Sequence, residues 1–183
     1  MFAAHTIPNA FTPDECARIS GLAEASGMRA AGLVGQIANC NIRRARIAWI
    51  DDIPETGWIM ERLIHLMAEA NRQAFDFALT EFSESPQVAL YGADQEGHFS
   101  WHSDIGDGPV AQKRKLTLVV QLSDPGEYEG GALELMPDAN IIPANRDCGA
   151  ATVFPSFVLH RVTPVTEGQR QSLTVWAHGP AFR

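Results

Sequence analysis

The chain lacks a cysteine pair at disulfide or metal-binding spacing. Cys16, Cys40 and Cys148 are odd in number and far apart, and none belongs to a C-x-x-C element, so neither a disulfide framework nor a zinc knuckle is indicated. Reduced thiols are the expectation. Long apolar runs are also missing, none approaching the ~18 residues of a membrane span. The stretch from Met1 to Pro8 has neither a charged n-region nor an apolar h-region, so a cytoplasmic protein without a membrane partner is expected. Basic charge is scarce: 14 Lys and Arg against 22 Asp and Glu leave a net charge of −8, the reverse of a nucleic-acid-binding footprint. Arg43, Arg44 and Arg46 form a short basic run, read as a solvated face or a carboxylate contact. There is no internal repeat, low-complexity tract or linker, so residues 1–183 are expected to form a single domain. Nothing in the sequence bears on oligomeric state.

What is present divides into a helical part, mainly 12–80, and a strand-rich part, mainly 87–179. Thr12-Pro13-Asp14-Glu15 is a helix start, with Thr12 as cap, Pro13 at the first helical position and Glu15 completing a capping box. Cys16, Ile19, Leu22 and Ala23 follow at helical spacing, and Gly27 is a stop. Ile42 to Ile50 reads as extended, with Arg44, Arg46 and Ala48 on one side. A second helix is expected over 55–77, its stripe drawn by Ile59, Leu63, Leu66, Met67, Ala70, Ala74 and Phe77. His65 lies off that stripe, at the surface. From Gln87 onward, short strands alternate with turn residues, at 88–91, 97–104, 116–122, 132–136, 149–154, 158–162 and 172–177. Such spacing predicts an antiparallel sandwich or jelly roll.

The chemistry begins at Trp101-His102-Ser103-Asp104. On a strand, His98, Ser100, His102 and Asp104 share one face, and Phe99 and Trp101 the other. An isolated H-x-D tripeptide is common by chance, and a helix would instead pair His98 with His102. A second imidazole, His160, ends the apolar stretch that begins at Phe154. Two imidazoles and a carboxylate form the facial triad that suits non-haem Fe(II). Ten residues after His160 comes Arg170, which alternates with Ser172, Thr174 and Trp176 on one strand face while Leu173 and Val175 occupy the other. A guanidinium there needs an anion, because burying it unpaired is very costly. Its planar fork suits a carboxylate such as the far end of an α-keto dicarboxylate, and a neighbouring hydroxyl can assist.

Three stretches, Trp101-His102-Ser103-Asp104, Phe154 through Val165 and Arg170-Gln171-Ser172-Leu173, closely resemble the Fe(II)/2-oxoglutarate-dependent dioxygenases. Within them the chain looks most like the prolyl-4-hydroxylase-type branch, especially its bacterial PKHD-type members. The resemblance is specific from about Tyr91 to Gly179 and looser over 1–86, where it rests on Ile47-Ala48-Trp49 and the helix that follows. It implies a mainly β fold with supporting helices (α+β), a double-stranded β-helix or jelly-roll core with two N-terminal helices packed on it. It further implies His102, Asp104 and His160 as iron ligands and Arg170 as the partner of the distal 2-oxoglutarate carboxylate. Ser172 is its helper and Tyr91 a hydrogen-bond donor to the cosubstrate. Gln121 stands where the oxygen-sensing prolyl hydroxylases carry a cosubstrate-binding tyrosine; the residue departs from that pattern, but its amide can still donate to a carboxylate, so it is expected among the cosubstrate-binding residues. Arg170 itself, in place of the lysine of many animal collagen-type members, sides with the bacterial and oxygen-sensing groups.

The implied cofactors are Fe(II), 2-oxoglutarate and O2, with ascorbate as an optional reductant. The implied reaction hydroxylates an unactivated C–H while 2-oxoglutarate becomes succinate and CO2. A prolyl residue in a peptide or protein is the first substrate expectation, a free amino acid or small biosynthetic intermediate the second. Trp101, Trp176 and Phe99 are candidate walls around the oxidant, and the segments Gly32–Asn41 and Ile105–Lys115 are candidate lids. A non-catalytic cupin-like binding module or a zinc hydrolase could keep the two histidines and the aspartate, but either would leave Arg170 idle.

Overall fold

The structure is a computed structural model that describes residues 4–31 and 41–182. Cys40 and all but the last residue of the expected lid at Gly32–Asn41 lie outside the described residues. Strand β1 (His5–Ile7) leads into helix α1 (Pro13–Ala25), followed by β2 (Arg29–Ala30), β3 (Arg43–Arg44), β4 (Arg46–Trp49) and helix α2 (Gly57–Ala70). The remaining strands are β5 (Gln87–Gly92), β6 (His98–His102), β7 (Arg114–Gln121), β8 (Tyr128–Gly130), β9 (Leu133–Met136), β10 (Ile142–Pro143), β11 (Ala151–Pro155), β12 (Leu159–Val162) and β13 (Val165–His178).

These strands make two antiparallel sheets. The larger runs β1-β11-β7-β13-β5-β4-β2, with β8 added to the early part of β13, and the smaller runs β10-β9-β12-β6-β3. Strands distant in sequence lie side by side, as in the expected jelly roll. Both helices pack on the outer face of the larger sheet. Cys16, Ile19 and Ala23 of α1 and Ile59, Leu63 and Met67 of α2 share one apolar cluster with Leu116, Leu118, Val120, Leu173 and Val175. Strand alternation turns Thr117, Val119, Arg170, Ser172, Thr174 and Trp176 the other way, where they line a cavity between the sheets.

Helix α1 begins as its sequence predicts. The Thr12 hydroxyl accepts the Glu15 N–H at 3.2 Å and Glu15 accepts the Thr12 N–H at 2.9 Å, a reciprocal capping box. Gly27 stands just past its end with φ +80°. Helix α2 is shorter than expected. It gives way at Asn71–Phe75 to a π turn, closed by Asp76 in the left-handed region. The wider turn rotates the apolar stripe by one residue, so Phe75 is buried and Ala74 exposed. The extended run at 42–50 also divides. At Ala45 the chain leaves the smaller sheet, where β3 pairs with β6, for the larger one, where β4 pairs with β5.

Candidate active site

Strand β6 carries a bulge. Against β12, His102 is opposite His160 and Phe99 is opposite Val162, so three steps on β6 span two on β12. The extra residue moves Phe99 onto the face of His102, where the two rings stack with centroids 3.5 Å apart. Simple alternation put them on opposite faces. Trp101 turns outward beneath the Arg161 guanidinium and is no cavity wall, whereas Phe99 and Trp176 are. The strand ends at His102, and a bend delivers Asp104. The carboxylate reaches the imidazole through that bend rather than by strand alternation.

His102, Asp104 and His160 converge, each offering one ligand atom and all three atoms within 4.8 Å of one another. The imidazole Nε2 of His102 is 3.7 Å from Asp104 Oδ1, and that of His160 is 3.5 Å from Asp104 Oδ2. Both rings are oriented from behind. His102 Nδ1 is 2.7 Å from the Ser100 carbonyl and His160 Nδ1 is 2.9 Å from the Val158 carbonyl. A carbonyl can only accept, so each Nδ1 carries a proton, and in the neutral ring each Nε2 presents a lone pair inward. Such second partners fix the tautomer of metal-binding histidines. Burial, and next the neighbouring His160, push the His102 imidazole down to about 4, which keeps it neutral and able to ligate.

Asp104 is held on every side. Its N–H donates to the Ser156 carbonyl at 2.8 Å. Its Oδ2 accepts from the Thr117 hydroxyl at 2.7 Å and from the Trp176 indole at 3.0 Å. With the Thr117 proton so used, the 3.0 Å contact between Thr117 and Ser156 hydroxyls must be a donation from Ser156. Burial opposes the carboxylate charge. His160, His102, the Thr117 hydrogen bond and Arg114 outweigh it and hold the carboxyl below its ordinary range. Behind Asp104, Arg114 donates to its carbonyl at 3.0 Å, lies over the Trp176 ring and pairs with Glu84. Buried His178 accepts the Ser83 N–H on Nδ1 at 3.3 Å, so its Nε2 donates to Glu84 at 2.9 Å. Nothing local in the sequence points to Thr117, Arg114 and Glu84, because their links to Asp104 and to one another span 10 to 30 positions.

Arg170 is 1% exposed and sits opposite Tyr91 in the pairing of β13 with β5. Its Nε and Nη2 both donate to Gln121 Oε1, at 3.1 and 2.9 Å. Its Nη1 is buried with no hydrogen-bond partner. No carboxylate among the described residues pairs with it, and burial lowers its proton affinity. An unmet buried donor costs roughly 1–3 kcal/mol, more when charged, so Nη1 calls for an acceptor. Gln121 thus fixes the guanidinium with its carbonyl oxygen. Tyr91 and Ser172 line the same cavity as Arg170 and the His102–Asp104–His160 cluster. The cavity, open at its mouth, has a volume of about 50 Å³.

A profile described as the 2OG-Fe(II) oxygenase superfamily matches residues 86–178, just over half of the chain. The chain belongs to the 2OG-Fe(II) oxygenase superfamily. Among superfamily relatives it is similar to a PKHD-type hydroxylase of Hyphomonas neptunium, at 30% identity over 61% of this chain and 48% of the relative. It spans about half the length of the first such relatives. A Pseudomonas putida prolyl-4-hydroxylase superposes with a TM-score of 0.74 at 23% identity, covering 98% of this chain and 94% of that one. A Trichoplax adhaerens prolyl hydroxylase, solved with a hypoxia inducible factor peptide fragment, superposes with a TM-score of 0.80 at 20% identity, covering 97% and 84%. At those identities the superpositions establish the superfamily's jelly-roll fold. No helix among the described residues is long and apolar enough to cross a membrane.

Proposed function

We propose that this chain is an Fe(II)- and 2-oxoglutarate-dependent dioxygenase that hydroxylates an unactivated C–H, with a prolyl residue of a peptide or protein as substrate. The observation that carries the reading is one cavity holding both a two-imidazole, one-carboxylate donor set and a buried arginine with an unmet N–H. The donor set fits Fe(II): two neutral nitrogens and one carboxylate oxygen face a common point. His102, Asp104 and His160 are the proposed ligands. Arg170 would receive the distal carboxylate of 2-oxoglutarate through Nη1, with Tyr91 and Ser172 as neighbouring hydroxyl donors. Gln121 would orient the guanidinium rather than touch the cosubstrate. When bound, iron, 2-oxoglutarate and O2 supply the oxidising chemistry, with succinate and CO2 as coproducts and ascorbate as an optional reductant. Phe99 and Trp176 would shield that chemistry from water. The prolyl assignment leans on the likeness to prolyl hydroxylases.

The test is titration of 2-oxoglutarate into the Fe(II)-loaded protein without oxygen, alongside succinate release with prolyl peptides in air. Removing a charge-assisted hydrogen bond worth roughly 1.5–3 kcal/mol should weaken 2-oxoglutarate binding by about one to two orders of magnitude in Arg170→Ala. Arg170→Lys should recover part of it, keeping the charge without the fork. Equal affinities would remove Arg170 from the site, and absence of binding to either protein would sink the dioxygenase reading.

A further inference from the structure

The cavity contains a second cation. Arg43, from the short basic run, lines it from β3. Its Nη2 donates to Gln87 Oε1 at 2.7 Å, and its Nε is buried without a hydrogen-bond partner. No carboxylate among the described residues pairs with it, although acidic residues outnumber basic ones in the chain. Its guanidinium carbon lies 4.7 Å from the centre of the Phe99 ring, its direct cross-strand neighbour. Phe99 in turn stacks on His102 at 3.5 Å. Guanidinium, phenyl and imidazole therefore form one stack that ends at a proposed metal ligand. The β6 bulge makes this stack, since Phe99 would otherwise point outward.

Arg43 and Arg170 hold different places. Arg170 is opposite Tyr91, whereas Arg43 is tied to Gln87, four residues earlier on the same face of β5. At ~3.3 Å per residue the two strand positions are roughly 13 Å apart. One small dicarboxylate held at Arg170 leaves Arg43 without a counter-ion among the described residues. Among the described residues no carboxylate neutralises Arg43, and its amide neighbour Gln87 fixes the guanidinium without cancelling its charge. A guanidinium so placed is suited to a carboxylate, which can take two parallel N–H donors.

We propose that Arg43 is a specificity-determining residue that binds a carboxylate of the primary substrate, so that this cavity accepts acids in preference to their neutral amides. The inference rests on the dioxygenase chemistry above, not on its prolyl-peptide assignment, and narrows the substrate to a free or C-terminal amino-acid carboxylate, or an acidic residue next to the target carbon, over a neutral internal segment.

The experiment compares free amino acids, C-terminal and aspartate-flanked prolyl peptides, and the corresponding primary amides of each. Stimulated succinate release is measured with wild type, Arg43→Gln and Arg43→Lys. Binding of the best acid to the Mn(II)- and 2-oxoglutarate-loaded proteins is measured by calorimetry. Wild type should accept one or more acids at least tenfold better than their amides, in KM and in calorimetric affinity. Arg43→Gln should raise KM for the acid at least tenfold and erase the preference, and Arg43→Lys should keep it in part. Its affinity for 2-oxoglutarate should stay within twofold of wild type. Amides accepted as well as acids, a panel in which no acid is accepted, or an unchanged acid KM in Arg43→Gln would each overturn the proposal. So would a large loss of 2-oxoglutarate affinity in that variant, which would make Arg43 a cosubstrate residue. A wild type that binds no 2-oxoglutarate would instead refute the dioxygenase reading on which the inference stands.

Discussion

Replacing Glu84 by glutamine probes how Asp104 is supported from behind. Glu84 accepts from Arg114 through both oxygens and from His178 through one. Burial disfavours its charge, but the His178 and Arg114 hydrogen bonds prevail and bring the carboxyl down from 4.5 to about 2. A carboxyl depressed in the folded state contributes stability above its unfolded value, and that contribution is lost as pH falls through the folded value. The window is therefore pH 4.5 down to about 2. At about 1.4 kcal/mol per unit, the contribution at neutral pH is about 3 kcal/mol. Breaking a buried ion pair by removing one partner costs a similar 3–5 kcal/mol. Urea unfolding of metal-free wild type and Glu84→Gln at a series of pH values should show the variant less stable by about 3 kcal/mol at pH 7. The gap should shrink to about half or less by pH 3. A gap that is small at pH 7, or that stays constant to pH 3, would refute the reasoning. In the first case the network is idle; in the second its worth lies in packing, not in the carboxylate charge.

Further expectations follow from the site and its frame. Thr117→Val removes one of two side-chain donors to Asp104 Oδ2 and should weaken Fe(II) affinity by roughly 10–100-fold, measured by competition with a chelator; an unchanged affinity would show that the Trp176 indole suffices. His102→Ala or Asp104→Ala should abolish stoichiometric Fe(II) binding while circular dichroism stays native, and wild-type turnover at limiting iron in either variant would dismiss the ligand assignment. Gly149→Ala should destabilise the fold by more than the ~1 kcal/mol that a compatible glycine-to-alanine replacement adds to stability. Gly149 has φ +82° and an added Cβ would lie 2.0 Å from the Phe11 carbonyl oxygen; a melting temperature equal to wild type would contradict this.

Where one local pattern dominated, the sequence was enough. The capping box at Thr12 and Glu15, the Ile59–Ala70 stripe and the two-residue rhythm of Arg170 to Trp176 each rest on near neighbours and recur in the structure. The two histidines and the aspartate were legible because their side-chain chemistry is unusual in combination, and they do converge. Misreadings arose where one residue of irregularity resets the phase. The π turn at Asn71–Phe75 exchanges Ala74 for Phe75, and the β6 bulge brings Phe99 beside His102. Neither leaves a mark in composition. Arg43, Arg44 and Arg46 form one basic run in the sequence, yet the sheet change at Ala45 parts Arg43 from Arg46. Such a crossing depends on long-range pairing, which a short window cannot contain.

The alternation along β13 has a consequence for how this chain can change. Leu173, Val175 and Ala177 bind the sheet to its helices, while Arg170, Ser172, Thr174 and Trp176 face the cavity. Substitutions on the cavity side can alter what the protein accepts without touching the helix-facing core. A single-residue insertion or deletion within β13 has the opposite character. It would turn Leu173 and Val175 into the cavity and drive polar side chains against the helices. Chemistry and folding would fail together, so variation on this strand should be found as exchange of residues, never as a change of length.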